Sequence, residues 1–95
     1  MKLGSFSKQP GETESYTISH EDSLTTGDYV LSAVATVLPT GVGALTLAPL
    51  IITTPRIRMF ASGGIDGTSY VVQLVTRTGD GRVLEDEFTI KVKEI

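Results

Sequence analysis

The chain has no cysteine and no tryptophan among its 95 residues. Without thiols it can form neither disulfide bonds nor thiolate metal sites, and it has no cysteine nucleophile. Aromatic residues make up only 6% of the sequence, and a single histidine is present. The fold therefore has to be held together by burial of aliphatic groups, and few residues are left for chemistry.

Charge of one sign and long apolar runs are also missing. The formal net charge is -3, and the eight Lys and Arg residues are scattered, whereas binding to a nucleic-acid backbone needs them clustered. The apolar stretches are too short to cross a bilayer, and the N-terminal MKLGSFSKQPGETES lacks the apolar core of a secretory signal. We expect a soluble protein made in the cytoplasm, with no nucleic-acid or membrane partner.

The hydrophobic residues that are present, 40% of the chain, alternate with polar ones in short segments. An alternation with a period of two predicts half-buried strands. Pro49 and Pro55 exclude a helix in the apolar ALTLAPLIITTP segment, because proline has no amide to donate. The predicted strands are residues 14–20, 30–38, 45–48, 50–53 and 56–62, a strand from Tyr70 to the Gly79-Asp80-Gly81 turn, and a strand from Leu84 to Val92.

Two of these strands carry specific expectations about burial. In VLSAVATVL, the odd-numbered residues form an apolar row that is predicted to face inward, with Ser32 and Thr36 on the opposite face. In the last strand Asp86 interrupts an apolar row, which predicts a bulge or simple exposure at that residue. The predicted inward row of VLSAVATVL consists of Leu31, Ala33, Ala35 and Val37.

Short strands separated by frequent turns favour two stacked sheets, since each strand must bury an apolar face. The predicted fold is an all-β, Ig-like antiparallel β-sandwich of about seven short strands in one domain. Residues 14–95 form this domain, and the polar residues 1–13 form a flexible, extended N-terminal arm. In IDGTSY, Tyr70 is placed to bond back to the preceding turn, as in a tyrosine corner.

Motifs for catalysis and for metal or cofactor binding are weak. His20 is the only imidazole, and no nucleophile-elbow sequence accompanies it. The acidic run at Glu85, Asp86 and Glu87 points to alternate faces of a strand, which does not suit a calcium site. The glycine-rich loops are not followed by Lys-Ser or Lys-Thr, so they do not read as phosphate loops. We therefore predict no catalytic residues, no metal and no cofactor.

The RIRMFAS segment is the clearest candidate for contact with another protein. Alternation directs Arg56 and Arg58 outward and leaves Phe60 on the same side. Arginine and aromatic residues are favoured in protein interfaces. A small phosphate-binding face and an ordinary solvent face are the alternatives. Phe6 and Lys8 of the N-terminal arm complete the predicted set of interaction residues.

The order of motifs resembles a family of small Ig-like virion proteins of tailed bacteriophages and prophages, some of them fiber-tail adaptors. The resemblance covers most of the chain, from SKQPGETESYTISH to the closing EDEFTIKV strand. His20 stands where relatives often have a tryptophan. The residues that carry the resemblance are Lys8, Pro10, Glu12, Tyr16, Ile18, Ser62, Gly63, Gly64, Gly67, Tyr70, Arg82, Phe88, Ile90 and Val92.

The resemblance implies a non-enzymatic structural protein of the tail or of its fiber attachment. Its partners would be other tail or fiber proteins, or further copies of itself, and it would be assembled into the virion in the host bacterial cytoplasm. An Ig-like carbohydrate-binding or adhesion module is the alternative, with Tyr29 and Phe60 as its candidate aromatics, because sandwiches serve both purposes. A third, weaker alternative is a small hydrolase with His20 in its active site.

Overall fold

A computed structural model describes residues 1–95 and contains eight strands and no helix. No element of the structure is a helix with the length and hydropathy needed to span a membrane. The predicted strands are all present, with ends shifted by a few residues, and one strand precedes them. The strands are β1 (Lys2–Lys8), β2 (Glu14–Ser19), β3 (Val30–Leu38), β4 (Thr46–Leu47), β5 (Ile51–Thr53), β6 (Arg56–Ser62), β7 (Thr68–Thr78) and β8 (Val83–Val92).

The strands form two sheets that pack face to face. The first sheet has the order β1-β8-β7-β3, and the second has β2-β6-β4, with β5 beside β4 on the same side of β6. All pairs are antiparallel except β1 with β8, which is parallel. The all-β sandwich is therefore confirmed with eight strands and one parallel pair, and the finer Ig-like assignment stays a prediction.

The core lies between the central strands of the two sheets. The inward residues Ile57, Met59 and Ala61 of β6 are fully buried, as the alternation predicted. They meet Tyr70, Val72 and Leu74 from β7 and the inward row of β8. The twelve buried apolar residues are Ile18, Val30, Leu45, Ile57, Met59, Ala61, Tyr70, Val72, Leu74, Phe88, Ile90 and Val92.

The inward row predicted for β3 is wrong at its first member. Val30 is buried, whereas Leu31 is 59% exposed. Val30 pairs with Thr78 and Ser32 pairs with Arg77, so Leu31 is an extra residue opposite a single step of β7. Such a bulge shifts the alternation by one residue. Beyond it Ala33, Ala35 and Val37 pack against the core, as predicted.

The expectation that Asp86 lies in a bulge or in solvent is also wrong. Asp86 pairs regularly with Leu74 and is buried. Its Oδ2 lies 3.7 Å from Nε2 of His20, which follows β2 in the opposite sheet and is itself buried. The same Nε2 lies 3.1 Å from Oγ1 of Thr76. Asp86 Oδ2 is buried without a hydrogen bond, and the N-terminal ammonium lies 3.9 Å from Oδ1. Because a buried carboxylate without hydrogen bonds costs free energy, this carboxylate is a strained feature of the core.

Part of the predicted N-terminal arm, residues 1–13, lies in the first sheet. Lys2–Lys8 pairs with β8 as β1, and the register shifts between Lys2 and Ser5. Gly4, within this shift, has a φ of 120°, a region that favours glycine. The flexibility of the segment and the domain boundary at residue 13 stay predictions.

The bond predicted for Tyr70 is present. The Ile65 amide donates a hydrogen bond of 3.0 Å to the Tyr70 hydroxyl, which fixes the loop before β7. Gly64 in this loop has a φ of 103°, and a Cβ there would lie 2.7 Å from a methyl group of Val92. The loop can therefore lie against the end of β8 only because residue 64 has no side chain.

Candidate interaction surfaces

The outer side of β6 presents the three residues that the sequence singled out. Arg56 and Arg58 are exposed and Phe60 is half-buried on the same side. The guanidinium carbon of Arg58 lies 4.8 Å from the centre of the Phe60 ring, which is a cation–π distance. We call Arg56, Arg58 and Phe60 the β6 outer surface.

Neighbouring strands make the β6 outer surface a mixed basic and apolar patch. Arg58 is paired with Ile51 of β5 on one side and Thr17 of β2 on the other, and both neighbours are exposed. Arg56 lies 3.9 Å from the Glu21 carboxylate, an exposed pair worth less than about 1 kcal/mol. Arg58 forms no salt bridge, so its charge is available to a partner.

The two interaction residues predicted in the N-terminal segment differ in accessibility. Lys8 is only 2% exposed, and its ammonium donates to the carbonyls of Gln9 and Gly63 at 2.8 and 2.7 Å. Burial lowers the pKa of Lys8, and the charges of Glu12 and Glu14 oppose that shift. Its ammonium thus ties β1 to the loop before β7, and a contact role for Lys8 stays a prediction.

Phe6 is 44% exposed and lines a groove that the sequence did not reveal. This edge groove has a volume of about 570 Å³ and runs between β1 and β2, each of which is an edge strand of its sheet. The ring centre of Phe6 lies 5.3 Å from that of Tyr16 and 5.8 Å from that of Phe88. Leu3 and Ile18 supply the rest of its apolar lining.

The rim of the edge groove carries negative charge. Glu14 lines the groove where β2 begins, and its charge, together with that of Glu12, acts on Tyr16. Burial first, and then these two carboxylates, raise the pKa of the Tyr16 phenol above 10.0. Tyr16 is therefore a neutral hydroxyl within the groove over the physiological range.

The outer face of the first sheet holds a second apolar area that sequence reasoning missed. Val34 is 65% exposed and is paired with Val75, while Leu38 is paired with Val71. The signal was available, because Val34 and Leu38 share a row with Ser32 and Thr36. The two polar residues are typical of a solvent-facing row, however, and so conceal the apolar area.

The buried contact of His20 differs from a hydrolytic triad. In a triad one ring nitrogen faces the nucleophile and the other faces the orienting carboxylate. Here Thr76 Oγ1 and Asp86 Oδ2 both lie near Nε2. Only Thr76 is within hydrogen-bond distance of Nε2, so the three residues form no relay, and His20, Thr76 and Asp86 are all buried. No three His, Cys, Asp or Glu residues lie together as a metal site.

The two aromatics considered for a sugar platform are each partly covered. Arg58 lies over the ring of Phe60. The ring of Tyr29 lies so close to Gly79 that a Cβ at residue 79 would overlap it. Arg58 therefore occupies one face of Phe60, and Gly79 crowds the ring of Tyr29.

Comparison with known proteins identifies the family. Residues 8–91 match the family model described as "Podophage GP4 fiber-tail adaptor protein gp77". No curated protein sequence matches the chain. Because the match covers most of its length, the chain belongs to this family of fiber-tail adaptors, as the resemblance in its sequence indicated. The membership gives it a structural role in the phage tail, as a component of the virion.

Proposed function

We propose that this member of the fiber-tail adaptor family is a non-enzymatic connector that links tail and fiber proteins through direct contacts. The family match over residues 8–91 is the observation that carries the proposal. Assembly takes place in the host cytoplasm, where a fold without disulfides is stable. Its partners are proteins, including further copies of itself, and neither nucleic acid nor a membrane is among them.

The β6 outer surface is the contact site of this connector. It lies on the central strand of the second sheet, where the neighbouring strands hold it rigidly. It combines a guanidinium that forms no salt bridge with an aromatic ring, and the exposed Ile51 of β5 lies beside it. Arginine and aromatic residues dominate the energetics of protein interfaces, and a rigid patch loses little entropy on binding.

The test mixes the purified protein with purified tail and fiber components and measures complex formation by light scattering. Arg58→Glu should weaken the complex at least about tenfold, as expected for a central interface residue. Lys91→Glu is the matched control, because it reverses a charge on the exposed outer side of β8 in the other sheet. It should leave binding unchanged.

Two results would contradict this proposal. The connector role is wrong if the protein binds none of the tail or fiber components. The site is wrong if Arg58→Glu binds like the unaltered protein. The partly covered rings of Tyr29 and Phe60 favour the connector over the carbohydrate-binding alternative, and glycan binding that Phe60→Ala abolishes would reverse that preference.

A further inference from the structure

The four sheet edges of the molecule differ in how well they are protected against pairing with another strand. The β3 edge contains the bulge at Leu31 and ends at Pro39. The β4 and β5 edge consists of strands of two and three residues, interrupted by Pro49 and followed by Pro55. Bulges, short strands and prolines are the usual devices that prevent strand addition.

The two remaining edges border the edge groove and contrast with each other. The β1 edge has an irregular register between Lys2 and Ser5, and Gly4 lies within that irregularity. The β2 edge has six residues in unbroken register with β6. The sequence ESYTIS contains no lysine, proline or glycine, so the charge of Glu14 at its start is the one protective feature of β2, and the edge from Ser15 to Ser19 has none.

The backbone groups that β2 leaves free follow from its pairing. The His20 amide donates to the Pro55 carbonyl at 2.9 Å, in the same register as the strand. Bonded and non-bonded residues alternate in an antiparallel pair, so Ile18 and Tyr16 also bond to β6. The residues between them, Ser15 and Thr17, and likewise Ser19, therefore direct their amides and carbonyls away from β6, toward the open side.

The edge groove supplies pockets for the side chains of an added strand. Side chains on one face of a strand recur every second residue, so an added strand would place alternate residues over Phe6, Tyr16 and Phe88. Main-chain bonds would give affinity and the aromatic groove would select apolar residues, as in other cases of strand addition.

Charge decides the chemistry of the occupant. Glu14 is exposed at the start of β2, and Glu12 lies close enough for its charge to act on Tyr16. The nearby cation, Lys8, is buried with its ammonium bonded to carbonyls. The charges of Glu12 and Glu14 both act on this one ammonium, so the rim keeps a net negative charge. A positive residue at one end of an added strand would complement it.

We infer that β2 and the edge groove bind an extended segment of a partner protein, with apolar residues at alternate positions and a Lys or Arg facing Glu14. The segment adds as a strand to the free edge of β2. This site is separate from the β6 outer surface and depends on the proposed function only in taking the occupant to be a protein.

The test uses fluorescently labelled synthetic peptides of about six to eight residues, the ordinary length of a strand. In one set Val or Ile alternates with Thr, with Lys at either end, and a second set carries Glu in place of Lys. Binding to the full chain is measured by anisotropy. Amide hydrogen exchange is then followed with and without the tightest peptide. We expect the Lys set to bind more tightly and to protect the amides of Ser15, Thr17 and Ser19.

Three variants separate the parts of the inference. Thr17→Pro removes a free-edge amide without removing a bond to β6, and should weaken peptide binding at least about tenfold. Thr17→Val keeps the amide and changes only the exposed side chain, so it should bind like the unaltered protein. Glu14→Lys should reverse the preference between the two peptide sets.

Several outcomes would overturn the inference. The inference is wrong if no peptide binds at a concentration of about 1 mM, which corresponds to the weakest affinity of interest. It is also wrong if a peptide binds but leaves the β2 amides unprotected. Protection of those amides in the protein alone, rising with its concentration, would show that a second copy occupies the edge instead. The exchange measurement decides the question even if Thr17→Pro fails to fold. Because no tail protein is used, its result is independent of the connector test.

Discussion

The strands β1 and β2 border the same groove but are attached to the molecule in different ways. β2 is antiparallel and regular, and it buries Ile18 in the core. β1 is parallel and irregular, and six of its seven residues are exposed. Parallel pairing is slightly less stable per residue, and exposed residues contribute little burial. We therefore expect β2 to be held more firmly in its sheet than β1.

The difference shows that a feature which protects an edge strand from pairing with another chain can also weaken its pairing within its own sheet. The register shift and Gly4 that make β1 a poor template for a further strand also weaken its pairing with β8. The regular pairing that fixes β2 leaves its outer edge open. Mutations on the two strands should therefore differ in size and in what they loosen.

The largest effect is expected from Ile18→Ala in β2. Removing this buried side chain leaves a cavity between the sheets and should lower the free energy of unfolding by about 3 kcal/mol. Urea denaturation monitored by circular dichroism measures the change. Val34→Ala, at a largely exposed position of β3, should cost less than about 0.5 kcal/mol. Equal losses for the two variants would show that β2 is not anchored through Ile18.

A smaller effect is expected from Phe6→Ala in β1. The ring packs against Tyr16 and Phe88 but remains 44% exposed. Its loss should cost about 1.5 kcal/mol, well below the value for a fully buried phenylalanine. Hydrogen exchange should show the loss chiefly as faster exchange of β1 amides. A loss as large as that of Ile18→Ala would contradict the weak attachment of β1.

Gly4→Ala tests the irregularity of β1 itself. A Cβ at Gly4 meets no atom within 4 Å, so only the φ of 120° opposes the substitution. The strain should lower the free energy of unfolding by about 1 kcal/mol. The loss cannot exceed the free energy needed to detach β1, because detachment of the strand would release the strain. Gly11→Ala is the matched control, because its Cβ also meets nothing and its φ is ordinary. If both variants unfold at the same urea concentration, the conformation of β1 at Gly4 is not required.

The smallest expected effect concerns alkaline pH at the groove. The pKa of Tyr16 is raised above 10.0 in the folded chain, so its contribution to stability is complete below pH 10.0 and declines as pH rises through the folded pKa. Lys8 has a lowered pKa and acts in the opposite direction, adding stability as pH rises toward 10.5. Tyr16→Phe should therefore lose less stability above pH 10.0 than the unaltered protein does in thermal melts. An identical decline in both would show that Tyr16 is not the cause.

Much of the fold could be predicted because alternation is local. The bounds of β3 and β6 and the inward row of β6 follow directly from residue order. Leu31 and Asp86 could not be assigned correctly, since a bulge depends on the partner strand and burial of Asp86 depends on His20 from the other sheet. The strand β1 could not be predicted, because its residues have little alternation and form a strand only beside β8.

The candidate sites divide in a similar way. The alternation in RIRMFAS was sufficient to place Arg56, Arg58 and Phe60 on one surface. No pattern could show that Lys8 is buried under carbonyls or that Phe6, Tyr16 and Phe88 meet, because these residues come from three separate segments. The sequence ESYTIS shows that β2 has no lysine, proline or glycine. Only the structure shows that β2 is an edge strand, where such residues would prevent pairing with another strand.

By itself the sequence determined that the chain buries aliphatic rows between two layers of strands, since the period of two is encoded residue by residue. It also carried the motifs that place the chain among the fiber-tail adaptors. Only the tertiary structure decided which strands lie at the edges, which of those edges remains open, and which charges lie beside it. Pairing and burial are relations between distant segments, and no local pattern specifies them.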